Sequence, residues 1–112
     1  MPAKIPSSVE LQLLTLVVTE RSGIEVAGLF KRETDSTISP GTLYTTFRRM
    51  RDAGWVSVRD GVDEDGRIRY FKITAIGAKA LDRGRTHYRE LSGFGKFLRT
   101  RPAGARGTAN AV

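Results

Sequence analysis

The run from Pro40 to Arg69, PGTLYTTFRRMRDAGWVSVRDGVDEDGRIR, restricts the fold more than any other part of the chain. Ser39 is suited to cap a helix, and Pro40 suits its first position, where a missing N–H costs nothing. The spacing of Leu43, Phe47, Met50 and Ala53 predicts a helix from about Pro40 to Ala53 with those four residues on its core face. Gly41, Thr42, Thr45, Arg48, Arg49 and Asp52 then fall on the opposite face, and Gly54 terminates the helix. Trp55–Val58 reads as a short strand, Asp60–Gly66 as a turn, and Arg67–Ile73 as a second strand. In that second strand Arg67, Arg69 and Phe71 share one side, and Ile68, Tyr70 and Lys72 the other. An amphipathic helix followed at once by a hairpin leaves few small folds to choose from.

The flanking sequence supplies three more helices. Ser7 and Glu10 have the spacing of a capping box, and the apolar run from Val9 to Val18 predicts a buried helix from about Ser8 to Arg21. Gly23 is expected to close that helix as a left-handed cap. Ile24, Val26, Ala27, Leu29 and Phe30 predict a second helix over Ile24–Glu33, with Thr34–Ser39 as the turn into the third. After Thr74, Gly77, Leu81, Gly84, Tyr88, Leu91, Gly95 and Leu98 recur at four-three spacing, a seam suited to pairing with another helix over Ala75–Leu98. The glycines in that seam also admit a helix that breaks after Leu91. Arg99–Val112 is rich in Pro, Gly and Ala and reads as a disordered basic tail.

With 112 residues the chain suits one domain, and its net charge of +7 suits a polyanionic partner, nucleic acid or an anionic surface, or serves solubility alone. There are no cysteines, which excludes disulfides, thiolate metal sites and cysteine nucleophiles. The start lacks the apolar core of a signal peptide, and the stretch near Leu11–Val18 is too short to span a bilayer, so a cytoplasmic, membrane-free protein is expected. His87 is the only histidine, and no nucleophile–base constellation accompanies it, so no enzymatic activity is expected. Gly93-Phe94-Gly95 lacks the context of a phosphate loop, and Asp63-Glu64-Asp65-Gly66 lacks the ligand pattern of a calcium loop. Neither a metal nor a cofactor is expected.

The order helix, helix, helix, strand, strand, helix predicts an α+β, mostly α fold: a winged helix-turn-helix of three helices and a two-stranded β wing, with a C-terminal dimerisation helix. Residues 1–74 form the DNA-binding unit on this reading, 75–98 the dimerisation helix and 99–112 the tail. The third helix is sized for a major groove. Arg48 and Arg49 can bond guanine in bidentate fashion or contact phosphates. Ser39, Thr42, Thr45 and Thr46 offer hydroxyls near its N-terminal end, and Tyr44 lies on its flank with a ring to pack and a hydroxyl to reach the backbone. Arg67 and Arg69 suit a minor groove or its flanking phosphates. Asp60, Asp63, Glu64 and Asp65 would be repelled by phosphate, so the tip of the wing is expected to stay in solvent. Two copies paired through Leu81, Tyr88, Leu91 and Leu98 would set their recognition helices about 34 Å apart and read an inverted repeat in double-stranded DNA. The competing reading is a winged-helix module that binds a protein through its last helix and does not read DNA sequence.

Gly41-Thr42-Leu43-Tyr44, then Gly54-Trp55-Val56, then Gly66-Arg67-Ile68-Arg69-Tyr70-Phe71, then Ile73-Thr74 and Gly77 closely resemble the PadR family of bacterial transcriptional regulators. The resemblance runs from Val9 to about Leu91. It implies a homodimeric winged-helix repressor that releases DNA when a small-molecule effector binds near the dimer interface. It also implies that Tyr44 and its third-helix neighbours, with Arg67 and Arg69 of the wing, lie on DNA. Trp55, the only tryptophan, is expected in the core.

Overall fold

The computed structural model describes the backbone of residues 4–99 and the side chains of residues 4–92. Four helices and three strands follow in the order α1 (Ser8–Leu16), β1 (Arg21–Ser22), α2 (Gly23–Thr34), α3 (Pro40–Asp52), β2 (Val56–Asp63), β3 (Gly66–Ile73) and α4 (Ala75–Arg99). The fold is the expected mostly helical α+β winged helix, with one strand more than the sequence suggested. Of the tail expected over 99–112, Arg99 ends α4 and the rest lies outside the described residues.

The capping box of α1 is formed: Ser7 N–H donates to Glu10 Oε1 at 2.8 Å, and Glu10 N–H donates to Ser7 Oγ at 3.1 Å. The helix stops at Leu16, short of the expected Arg21. Its last carbonyls are taken by groups from outside the helix: Arg21 Nε donates to Leu16 O at 2.8 Å, and Ile73 N–H to Val17 O at 2.9 Å. Arg21 and Ser22 are thereby drawn out as β1, antiparallel to β3 with Arg21 opposite Phe71 and Ser22 opposite Tyr70.

Gly23 is not a C-cap. It opens α2, Ser22 is the N-cap, and Ser22 and Glu25 form a second capping box. A Cβ there would come within 2.5 Å of the Tyr44 hydroxyl, so a larger residue would displace that side chain. A left-handed residue, Asp35 at φ 57°, closes α2.

In α3, Ser39 Oγ accepts from Thr42 N–H at 3.1 Å and Pro40 takes the first position, as expected. The buried stripe is Leu43, Thr46, Phe47 and Met50. Ala53, placed in that stripe by its spacing, caps the helix and is exposed. Gly54, at φ 83°, ends the helix with Gly54 N–H on Arg51 O and Trp55 N–H on Met50 O, the paired bonds of a Schellman motif.

The wing is longer than the sequence suggested. β2 runs on through Asp60 to Asp63, and only Glu64 and Asp65 form the turn. Asp60 stands opposite Arg69 and Val62 opposite Arg67, and Asp63 Oδ1 takes the Asp65 N–H at 2.9 Å to close the tip. The sheet order is β1-β3-β2.

The core lies where the root of the wing meets the helices. Leu13, Leu14, Val17, Val26, Phe30, Leu43, Phe47, Met50, Trp55, Val56, Phe71, Ala80 and Leu81 form one cluster. At its centre Phe47 of α3 and Phe71 of β3 stack with ring centroids 4.1 Å apart.

The seam of α4 faces this core along its first half. Leu81, expected in a dimer interface, is buried within the subunit at 5% exposure. Tyr88, expected beside it, donates its hydroxyl to Pro6 O at 3.1 Å. The physical reason lies in the glycines: at Gly84 a Cβ would meet Leu11 Cδ1 at 2.6 Å, so its absence lets α4 settle against α1 of its own chain. Leu91 is 52% exposed, and the side chain of Leu98 lies outside the described residues.

Candidate nucleic-acid interface

With Leu43, Thr46, Phe47 and Met50 turned inward, helical geometry leaves Gly41, Thr45, Arg48 and Asp52 along the outermost line of α3. Tyr44 flanks that line on the wing side, while Thr42 and Arg49 flank it on the other. Arg48 is exposed and makes no ion pair with any described residue. Asp52 is held by Arg51 at 3.4 Å. Ser39 and Thr42 are exposed but already bonded, Ser39 Oγ donating to Thr42 Oγ1 at 3.0 Å while it caps the helix. Thr46 departs from the expected DNA-facing set. It is 4% exposed and donates its hydroxyl to Thr42 O at 2.7 Å, so it serves the packing of α3.

Tyr44 joins α3 to the wing. It is 38% exposed, its ring lies 6.0 Å from that of Phe71, and its hydroxyl sits over Gly23 at the start of α2. Because side chains alternate along a strand, Arg67 and Arg69 share the face of Phe71, and that face turns toward α3. Tyr44, Arg67 and Arg69 thus border one open cleft, with Gly23, Ile24, Asp60 and Ile68 completing it. The structure brings together side chains from α2, α3 and the wing that are far apart in the sequence.

Two residues of this region escape a reading of the sequence. Asp60 falls in the turn by residue type alone, yet it lies in β2 on the cleft face, with Oδ1 3.6 Å from Arg69 Nε and Oδ2 3.8 Å from Arg67 Nη2. Only the register reveals this, because Asp60 becomes the cross-strand neighbour of Arg69 once β2 is extended. Ile24, 75% exposed at the start of α2, lines the same cleft, and no periodicity could have placed it there.

The other face of the wing is committed to its own contacts. Arg59 lies over the ring of Tyr70, 4.3 Å from its centroid, and donates to both oxygens of Glu20 at 3.2 and 2.8 Å. That hydrogen bond holds the Glu20 carboxyl below its usual value and raises the Arg59 guanidinium. Among the described residues no cluster of His, Asp or Glu could hold a metal ion, and no helix is long and apolar enough to cross a membrane.

A three-helix unit with a β wing, carrying a polar, arginine-bearing third helix beside that wing, defines a winged-helix protein of the DNA-binding class. The chain matches the Transcriptional regulator PadR-like family over residues 11–83, and it belongs to that family. Solved structures agree on the fold. A PadR family transcriptional regulator from Eggerthella lenta aligns with TM-score 0.71 at 21% identity, covering 81% of each chain. A PadR-like transcriptional regulator from Bacillus cereus aligns with TM-score 0.73 at 19% identity, covering 84% of this chain and 93% of the other. A transcriptional regulator from Clostridium thermocellum aligns with TM-score 0.68 at 24% identity, covering 81% and 91%. No curated protein matches the chain.

Proposed function

We propose that this PadR-like regulator works in the cytoplasm as a homodimeric repressor whose α3 helices read an inverted-repeat operator in double-stranded DNA. The observation that carries the reading is the alignment of the exposed line of α3, through Tyr44, with Arg67 and Arg69 across one cleft. A helix laid in a major groove along Thr45 and Arg48 would bring the wing arginines to the adjoining backbone or minor groove. Ser39, Thr42 and Arg49 border the same face and suit phosphate contacts. The acidic tip, Asp63 to Asp65, would point away from the duplex.

On this reading residues 1–74 hold the DNA and α4 pairs the subunits. The pairing surface is the distal half of α4, since the proximal half is used within the chain. Leu91→Asp is expected to yield folded monomers by light scattering, because Leu91 is exposed in the single subunit, with the thermal midpoint lowered only by the stabilisation that the partner supplied. A mass unchanged from the wild-type dimer would exclude that surface. The family resemblance adds an effector, a small molecule seated near the subunit interface whose binding releases the DNA.

The direct test is selection of bound sequences from a random double-stranded pool. An inverted repeat with half-sites about one helical turn apart is the expected result. Recovery of no consensus would favour the protein-binding alternative.

A further inference from the structure

Glu10 is the most deeply buried charged residue among those described, at 3% exposure. One of its oxygens is used within α1, where Oε1 accepts the Ser7 N–H at 2.8 Å and closes the capping box. Glutamine can also close such a box, so the cap does not by itself require a carboxylate, although the helix N-terminus favours one. The second oxygen, Oε2, lies 3.9 Å from Nη2 of Arg49, on the α1-side flank of α3. Arg49 itself is 57% exposed along its side chain.

We infer that Glu10 is a positioning residue for DNA binding: it aims the Arg49 guanidinium at a DNA phosphate beside α3. The inference rests on the reading of α3 as the recognition helix. At 3.9 Å the pair is a charge contact and not a hydrogen bond, so the guanidinium keeps its N–H donors for another acceptor. A phosphate oxygen is the acceptor that a planar, five-donor cation fits best. An untethered arginine on an exposed helix flank samples many rotamers and loses that freedom on binding. Glu10, anchored by its own cap, is a fixed negative charge that biases Arg49 toward the α1 side of α3. Arg48, by contrast, projects from the centre of the exposed face with no tether to a described residue, so the two adjacent arginines play different parts.

The test uses the full chain and four variants: Glu10→Gln, Arg49→Ala, the double variant, and Arg48→Ala as a reference. Dissociation constants are measured on the selected duplex and on a scrambled one, across a salt series, with thermal midpoints recorded alongside. Glu10→Gln preserves the capping box and should weaken binding to both duplexes by the same factor, about three- to tenfold. Arg49→Ala should weaken both by about tenfold and lower the salt slope by about one. The double variant should bind no worse than Arg49→Ala alone, because the carboxylate acts only through that arginine. Wild-type affinity in Glu10→Gln beside a loss in Arg49→Ala overturns the inference, as does a double variant in which the two losses multiply. A lowered thermal midpoint with unchanged affinity assigns Glu10 to the fold alone and also overturns it. If Arg49→Ala binds normally while Arg48→Ala does not, the positioning role fails and the recognition helix stands. Normal binding by both arginine variants removes both.

Discussion

Arg48→Ala should weaken binding to the selected duplex by about ten- to a hundredfold, and binding to a scrambled duplex by no more than about threefold. The asymmetry follows from where Arg48 stands. It lies one turn after Tyr44 on the outermost line of α3, exposed, and makes no ion pair with any described residue. A bidentate arginine–guanine contact discriminates against the wrong base by about 1–3 kcal/mol. A phosphate contact would contribute alike to every sequence. Equal losses on the two duplexes would therefore move Arg48 to the backbone, and no loss on either would remove Arg48 from the interface. The thermal midpoint should hardly change, since surface substitutions of this kind fall within about 0.5 kcal/mol.

Gly77→Ala should destabilise the fold by about 3 kcal/mol and lower the thermal midpoint by about 10 °C or more. Helix propensity alone predicts the opposite sign, a gain of up to about 1 kcal/mol from replacing glycine in a helix. Packing decides. A Cβ at Gly77 would overlap the carbonyl oxygen of Trp55, a backbone atom that cannot swing aside. That oxygen also accepts the Thr74 N–H at 2.9 Å, while Thr74 Oγ1 donates to Gly54 O and accepts the Gly77 N–H at 3.0 Å. Any shift that relieved the overlap would break this junction between the wing root and α4. Gly28 in α2, where an added Cβ meets nothing within 4 Å, is the internal control. Alanine there should stabilise the protein, so a calorimetric comparison of the two variants reads the sign directly.

What could be read from the sequence were the features whose cause is local. Ser7 with Glu10, Ser39 with Pro40, and Gly54 after an amphipathic run each satisfy helix-end groups within a few residues, and each is formed. The family's spaced motifs carried the winged-helix fold. What could not be read depended on partners distant in the chain. Gly23 looks like a stop because glycine favours left-handed conformations, yet the Ser22–Glu25 box begins a helix there, and the space is taken by Tyr44. β1 is two residues long and has no periodicity to detect. The acidic stretch through Asp63 is strand because β3 offers it a ladder. A four-three seam in α4 announces that another helix will cover it, without saying whose; α1 of the same chain covers its first half. In the candidate interface, the exposed face of α3 was legible except for Thr46, which lies just inside the boundary of the buried stripe.

The strand that carries Arg67 and Arg69 is gripped on both edges at its root. β1 holds it on one side and β2 on the other, and Phe71 is stacked on Phe47 of α3. Packing at this root sets where the hairpin leaves the core relative to α3. The spacing of α3 and the wing root is thus a dimension set by packing, like the jaw setting of a calliper. If α3 and the wing both meet DNA, as proposed, adjustment at the root falls to the duplex. On the proposed reading, sites whose minor groove already has the matching width, or whose steps deform cheaply to reach it, would fit this opening, while stiff tracts of another width would bind less well even where every contacted base is correct.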